Sequence, residues 1–395
     1  MIKIIYILIA LSLFLQADVI NFYRVAVQNL QYDKVFTSYK KSATFSQDAI
    51  IQSRYADISL DASYSATKAK TLQNHFNTTD IAINDNFDVF NKKSYEIEAI
   101  SLEIQKEKFL LASKKEQLFH ALISMITLYN SSSLKINLNQ KLYEEQSLLY
   151  NKLSLLQSHG AVSTLVLLRF KNTLTQLQTK IIRQKNKLLK MKKQLNLYAP
   201  NQTIPKLNAT LTTTKEQFLS HNPQAEANEL MADKALVQSQ ALKHNYYPEL
   251  SAGVAYQFLD DPTAYGDNYS ASIALHIPLN SSDFKESEAL QVDALSQKSK
   301  TVALKIQREN EYISLTQDYQ SAKEQLSILQ TNLDDYKKSE STIKTAFLKQ
   351  FVDFNSYLQV LTQTLQIQEQ MIDLDAQAKQ SATLVNAIAS GFIYE

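Results

Sequence analysis

Residues 58–66 read Ile-Ser-Leu-Asp-Ala-Ser-Tyr-Ser-Ala, a strict alternation. Ile58, Leu60, Ala62, Tyr64 and Ala66 fall on one side; Ser59, Asp61, Ser63 and Ser65 fall on the other. Period two predicts a strand. Its hydroxyl- and carboxylate-bearing face meets water, and its apolar face needs core or lipid. A second copy lies downstream, where Tyr247 to Tyr256 aligns without a gap on Tyr55 to Tyr64, at an offset of 192 residues. A repeat at that distance predicts two matching sets of elements.

Each copy extends to a second strand. Ile81, Ile83, Phe87 and Val89 alternate with Ala82, Asn84, Asn86 and Asp88, while Asp85 interrupts the apolar side. The polar stretch 68–79 predicts the loop of a hairpin. Downstream, Leu250, Ala252, Val254, Tyr256 and Phe258 precede a turn-rich loop at 260–268. Tyr269, Ala271, Ile273, Leu275, Ile277 and Leu279 follow it.

The rest of the pattern is helical. Residues 19–52 have a modest helical stripe, and 92–158 contain neither Pro nor Gly. At ~1.5 Å per residue the latter helix is on the order of 100 Å long, more than a globular core requires. Leu111, Leu118, Leu122, Met125 and Tyr129 form a coiled-coil-like seam. His159-Gly160-Ala161 breaks it, with Gly160 suited to a left-handed cap. Ser163 then caps a return helix to about Leu197, antiparallel to the first. In the second set, Asn222-Pro223 opens a helix to about His244. A long helix follows at 283–348, with the seam Tyr319, Ala322, Leu326, Leu329, Leu333, Tyr336, Glu340, Ile343, Phe347. The chain turns at Lys349-Gln350-Phe351, and Asp353 or Asn355 caps a last helix to about Ser390.

This defines a signal segment at 1–17, a first repeat at 18–197, a linker at 198–214 and a second repeat at 215–395. Met1 to Ala17 carries one early Lys, then an apolar run, then a small residue before Asp18, the layout of a secretory signal. As an uncleaved anchor the run falls short of the ~20 residues a bilayer span needs. Four Gly and six Pro in 395 residues leave room for long elements, and all six Pro fall at predicted breaks. There is no Cys, which excludes disulfides, thiolate zinc sites and a Cys-linked lipid anchor. A net charge of +2 with mixed signs gives no case for nucleic acid.

Four strands of this kind cannot be self-sufficient. Two hairpins leave sheet edges open, and in lipid a sheet must close on itself. Four strands are too few to close around water. Several copies must therefore share one barrel. Ser, Asp, Asn and Gln face its lumen. Ile58, Leu60, Tyr64, Ile81, Ile83, Leu250, Val254, Tyr256, Ile273, Leu275 and Ile277 face lipid. Aromatics near the strand ends suit the membrane interfaces.

The duplicated helix–hairpin–helix–helix unit resembles the outer-membrane efflux (TolC-like) family. So do Asn222-Pro223 at the second opening, Tyr247-Pro-Glu-Leu250 entering a strand, and Ile277-Pro-Leu279 before Asn280-Ser-Ser-Asp-Phe-Lys285. Val89-Phe-Asn-Lys-Lys-Ser-Tyr95 is the counterpart of that strand exit in the first half. Gly160-Ala-Val-Ser163 with Val166-Leu-Leu168 resembles the family's far helix turn, as does Val352-Asp353 with Tyr357-Leu358, although Gln350 replaces the usual Gly. The resemblance implies a mainly α fold with a small β part. Long antiparallel helical hairpins would form a periplasmic α-barrel, joined to a transmembrane β-barrel shared by a homotrimer with four strands per chain. It implies a passive outer-membrane conduit for drug efflux or type I secretion, served by a periplasmic adaptor and an inner-membrane pump. The exposed turns supply partner candidates: Gly160, Ala161, Val162, Ser163 and Leu167, with Val352, Asp353, Tyr357 and Leu358. Many family members narrow the tube with acidic side chains after the second turn. The matching positions here are Ser356 and Gln359, with Asp353 the nearest carboxylate.

Little else in the chain carries chemistry. The six His are scattered, and there is no G-x-S-x-G, phosphate loop or H-E-x-x-H. No enzyme, metal or cofactor is expected. The Lys- and Gln-rich run 183–194 reads as a solvated helix face, with an anionic partner as the sharper reading. The competing assignment is a soluble periplasmic coiled-coil adaptor. That would need one hairpin interrupted by a compact β module, whereas this chain has two hairpins and no such run.

Overall fold

A computed structural model describes residues 18–55, 57–68, 75–260, 268–277, 282–349 and 351–394. The signal segment 1–17, the tips of both strand loops, Pro278 to Asn280 of the strand exit, and Gln350 lie outside the described residues.

In chain order come α1 (18–29), α2 (Tyr32–Tyr55), β1 (Ile58–Lys68), β2 (His75–Phe87), α3 (Lys93–Ser158) and α4 (Thr164–Tyr198). The short α5 (Lys215–Leu219), α6 (Pro223–His244), β3 (Glu249–Asp260), β4 (Asn268–His276), α7 (Ser282–Leu348) and α8 (Phe354–Ser390) follow. A 3-10 turn, Phe392–Tyr394, comes last. The helix expected over 19–52 is broken by Gln31, whose φ of 56° ends α1.

The chain forms two compact units. One comprises Lys34–Leu111 and Pro223–Lys305; the other comprises 18–33, Ala112–Asn222 and 306–394. Each draws on both sequence repeats.

The first unit holds the strands. They form one antiparallel sheet in the order β1-β2-β3-β4. The two hairpins are therefore joined through β2 and β3, and the unpaired edges are β1 and β4. β2 starts earlier than its apolar alternation suggests. Thr78, Thr79 and Asp80 continue the ladder opposite Ser65, Tyr64 and Ser63, although β2 itself is polar on both of its faces there. Beside the sheet, small side chains bring α6 and α7 together: Ala232 and Ala235 pack on Ala294. Ser239 and Ser287 exchange a 2.9 Å hydroxyl contact, and Asn228 Nδ2 donates to Thr301 Oγ at 2.9 Å.

The second unit is helical. Its main core sets Phe22, Tyr23 and Ala26 of α1 against Leu118, Phe119, Leu122 and Ile126 of α3 and Val385 and Ile388 of α8. The linker 198–214 is held to this core by its own Leu207, buried in the cluster, and by the buried amide of Asn386. Asn386 Oδ1 accepts from the Thr212 N–H (3.2 Å), and its Nδ2 donates to the Thr210 carbonyl (2.7 Å). The α7 seam is present as read: Ala322, with Tyr319, Leu326 and Leu329, packs on Leu374 and Ala378 of α8. Two features lie outside the elements expected from the sequence. Thr214 and Gln217 form a capping box that starts α5. Arg308 is also buried, donating to the His221 carbonyl (2.8 Å) and to Glu116 Oε2 (2.8 Å), which also accepts from Tyr394 OH (2.7 Å).

Candidate functional site

The sheet is a single layer whose register sorts its side chains. One face carries the rows Leu60–Ile83–Val254–Ala271, Ala62–Ile81–Tyr256–Tyr269 and Phe87–Leu250–Leu275. The other carries Ser59–Asn84–Gly253–Ser272, Asp61–Ala82–Ala255–Ser270 and Ser63–Asp80–Gln257–Asn268. All the strand residues expected to face lipid lie on the first face. Ile277 follows the last described residue of β4 and is exposed as well. Leu60 is 70% exposed and Ile273 81%, so no layer of the described chain covers them. A sheet face of this kind must be buried against something. Strands of 11, 13, 12 and 9 residues are each long enough for the ~9–11 that cross a bilayer at a tilt.

The apparent flaw in this face has a local cause. Asp85 stands opposite Ile58 at the end of the ladder, and its Oδ1 accepts from the Asp57 N–H at 2.9 Å. It caps the entry to β1. On the polar face, Asn84 Nδ2 donates to Asp61 Oδ2 (2.8 Å), Ser63 Oγ to Asp80 (3.4 Å), and Ser65 and Thr78 share a 2.6 Å contact. Gly253 makes room for this network. A Cβ there would lie 2.2 Å from Asn84 Oδ1.

The two helix turns meet in the second unit. Gly160 takes φ 75°, its N–H donating to the Gln157 carbonyl at 2.9 Å. Ser163 Oγ accepts from the Val166 N–H and caps α4. Asp353 caps α8, its Oδ1 accepting from the Ser356 N–H at 2.6 Å. That backbone bond holds the Asp353 carboxyl below its ordinary range. The turns share one apolar cluster: Phe170 stands 5.3 Å from Phe354, and Phe347 stacks on Tyr357 at 5.2 Å.

The predicted turn residues divide between surface and core. Gly160, Ala161, Ser163 and Asp353 are exposed; Val162, Leu167, Val352 and Leu358 are half-buried against the cluster. Tyr357 is 0% exposed and donates to Gln146 Oε1 at 2.9 Å, so it braces the turn from inside. Burial pushes its phenol up to about 12. Of the aperture candidates, Asp353 and Gln359 are exposed and Ser356 is half-buried. The residue missed here is Phe351, 79% exposed at the second turn. Leu165 and Leu168 are exposed beside the first turn.

Glu116, His120 and Glu311 come within 4.8 Å of one another, a grouping that a scan of His spacing alone does not find. Arg308 already satisfies both carboxylates, which makes this an ion-pair cluster. Among the described residues, no helix is long and apolar enough to cross a membrane.

No family model and no curated protein matches the chain. Solved structures do match. The chain superposes on CusC, studied for its folding and transmembrane channel formation, with a TM-score of 0.78 and 13% identity over 94% of this chain and 92% of that one. For the outer-membrane protein VceC of Vibrio cholerae the values are 0.76 and 16%, over 94% and 96%. For the Campylobacter jejuni CmeC outer-membrane channel they are 0.72 and 12%, over 95% and 86%. The chain thus has the TolC-like fold of outer-membrane channels: mainly helical, with a few strands per chain. The resemblance read from the sequence motifs and this structural likeness agree.

Proposed function

We propose that this protein is the outer-membrane channel of an export system, a passive conduit for tripartite efflux or type I secretion. The observation that carries the reading is the bare four-stranded sheet, apolar on one face and polar on the other, with both edges open. An open edge is not tolerated in lipid. Pairing β1 of one copy with β4 of the next closes the sheet. Three copies give twelve strands, in keeping with the fold's resemblance, and a homotrimer is the proposed state. The polar face then lines water and the apolar face meets the outer-membrane lipid.

The helical unit belongs to the periplasm after export by the N-terminal signal. Its two turns serve as the docking end for a periplasmic adaptor and an inner-membrane pump, which supply the energy. Gly160, Ala161, Val162, Ser163, Leu167, Val352, Asp353 and Leu358 shape that end, with Tyr357 as its internal brace. Asp353, Ser356 and Gln359 are the aperture candidates. The protein acts by binding and conduction, without catalysis or cofactor.

Planar-bilayer recording of the purified protein tests this. Stepwise conductance from a detergent-resistant trimer is expected. A protein that stays monomeric in mild detergent and adds no conductance would overturn the proposal. Drug susceptibility and secreted-protein levels, measured side by side in a deletion strain, separate efflux from secretion.

A further inference from the structure

Residues 146–215 contain none of the 39 Asp and Glu of the chain but twelve of its 41 Lys and Arg. α4 lies inside this stretch and carries nine of the twelve. Among the described residues, its Lys180 pairs with Glu369 at 2.7 Å. Arg183, Lys185, Lys187, Lys190, Lys192 and Lys193 are all exposed, and no carboxylate among the described residues lies within ion-pair distance of them. Steps of four, three and three place Arg183, Lys187, Lys190 and Lys193 along one strip. The strip lies away from the buried Ile181 and Leu195 and is about 15 Å long at the helical rise.

Stability does not explain the strip. Like charges three and four residues apart oppose the helix. Elsewhere the chain mixes signs, as in Lys234–Glu103, Lys285–Glu288 and Lys379–Asp375. At the matching places on α4 stand Gln184, Asn186, Gln194 and Asn196.

The chemistry of the strip narrows the partner. Three of its four cations are Lys, which are hydrated point charges; a buried ion pair with a folded acidic protein favours the forked guanidinium of Arg. No residue in 183–193 is aromatic, so bases find no stacking platform. The strip is straight and open, which suits an extended polymer. We infer that this face of α4 docks an acidic polysaccharide, a glycan bearing carboxylates along its chain. This does not depend on the channel assignment.

The test uses the full chain in detergent and immobilised polygalacturonate, with neutral dextran as control. One variant carries R183Q, K187Q, K190Q and K193Q. A second carries K298Q, K300Q, K305Q and K337Q, four exposed cations elsewhere with the same loss of charge. Circular dichroism and gel mobility check that both fold. Wild type and the second variant should bind polygalacturonate at low salt and release it as screening rises. The strip variant should bind about tenfold more weakly or worse. Equal loss in both variants would reduce the effect to net charge and overturn the inference. Binding to phosphatidylglycerol vesicles without binding to polygalacturonate would overturn it in favour of a membrane surface. Strip lysines protected from acetylation in the glycan-free oligomer would overturn it in favour of a second copy.

Discussion

Ile83 and Asn84 are neighbours in β2 that the register sends to opposite faces. Ile83 lies in the row Leu60–Ile83–Val254, and Asn84 in the row Ser59–Asn84–Gly253. Under the proposed channel assignment, lysine at each position sets a lipid-facing residue against a lumenal one. For I83K the ammonium must leave water near the middle of the strand, at a cost of about 2–4 kcal/mol, together with the lost contact of an isoleucine. For N84K the 2.8 Å bond to Asp61 is lost, but a lysine can pair with that same carboxylate across the strand. The net change is about 1 kcal/mol or less. Urea unfolding from lipid vesicles measures the difference, and the heat stability of the oligomer on gels gives an independent reading. I83K should unfold at much lower urea and N84K near wild type. Equal effects, or a more harmful N84K, would refute the assignment of faces and the lipid contact with it.

Three further outcomes follow from single side chains. G253A should force the Asn84 amide off Asp61 and cost about 1 kcal/mol, and a second change, N84A, should remove most of that penalty in a double-mutant cycle. R308M leaves the Glu116 carboxylate without its countercharge, with only the Tyr394 hydroxyl donating to it among the bonds described above, and should cost about 3 kcal/mol by chemical denaturation, with E116Q in the same chain recovering part of it. Asp353 titrates below its ordinary range when folded, so its capping bond stabilises the turn above the unfolded value and is lost as pH falls through the folded one. Protection factors over 354–360, taken against the intrinsic exchange rate at each pH, should therefore fall on acidification in wild type, and much less in D353N, which keeps a capping acceptor but does not titrate.

Much of this architecture could be read in advance, because its elements are long and strongly periodic. Ser163 and Asp353 stand just before apolar runs and do cap their helices. Gly160, with no side chain to clash, takes the left-handed φ. The misreadings have physical causes. Residues 75–80 join a strand although their polar character signals a loop, since a ladder can outlast the apolar band that reveals it. Asp85 looked like an error in the strand until its partner, the Asp57 N–H, was visible; that bond joins positions 28 apart. The burial of Tyr357 could have been found from Phe354, Tyr357, Leu361 and Thr364, spaced three, four and three apart and all buried in α8. Gln146, which receives its hydroxyl, lies 211 residues away, a pairing no local pattern reveals.

The open edges of β1 and β4 permit the most direct test of assembly. The chain has no Cys, so introduced thiols report without background. Ser63 lies on the polar face of edge strand β1, and Asn268, Ser270 and Ser272 lie on that face of edge strand β4. Within one chain β2 and β3 separate these edges, about three strand spacings of ~4.8 Å apart, beyond the reach of a disulfide. S63C is combined in turn with N268C, S270C and S272C, because the stagger of a closed barrel shifts the register between copies. On oxidation at least one pair should cross-link between chains and give a ladder that stops at three, since a closed ring has no free edge for a fourth. A ladder running past three would indicate an open, non-closing array. A cross-link confined to one chain would mean that the four strands curl on themselves, and would remove the shared barrel on which conduction depends.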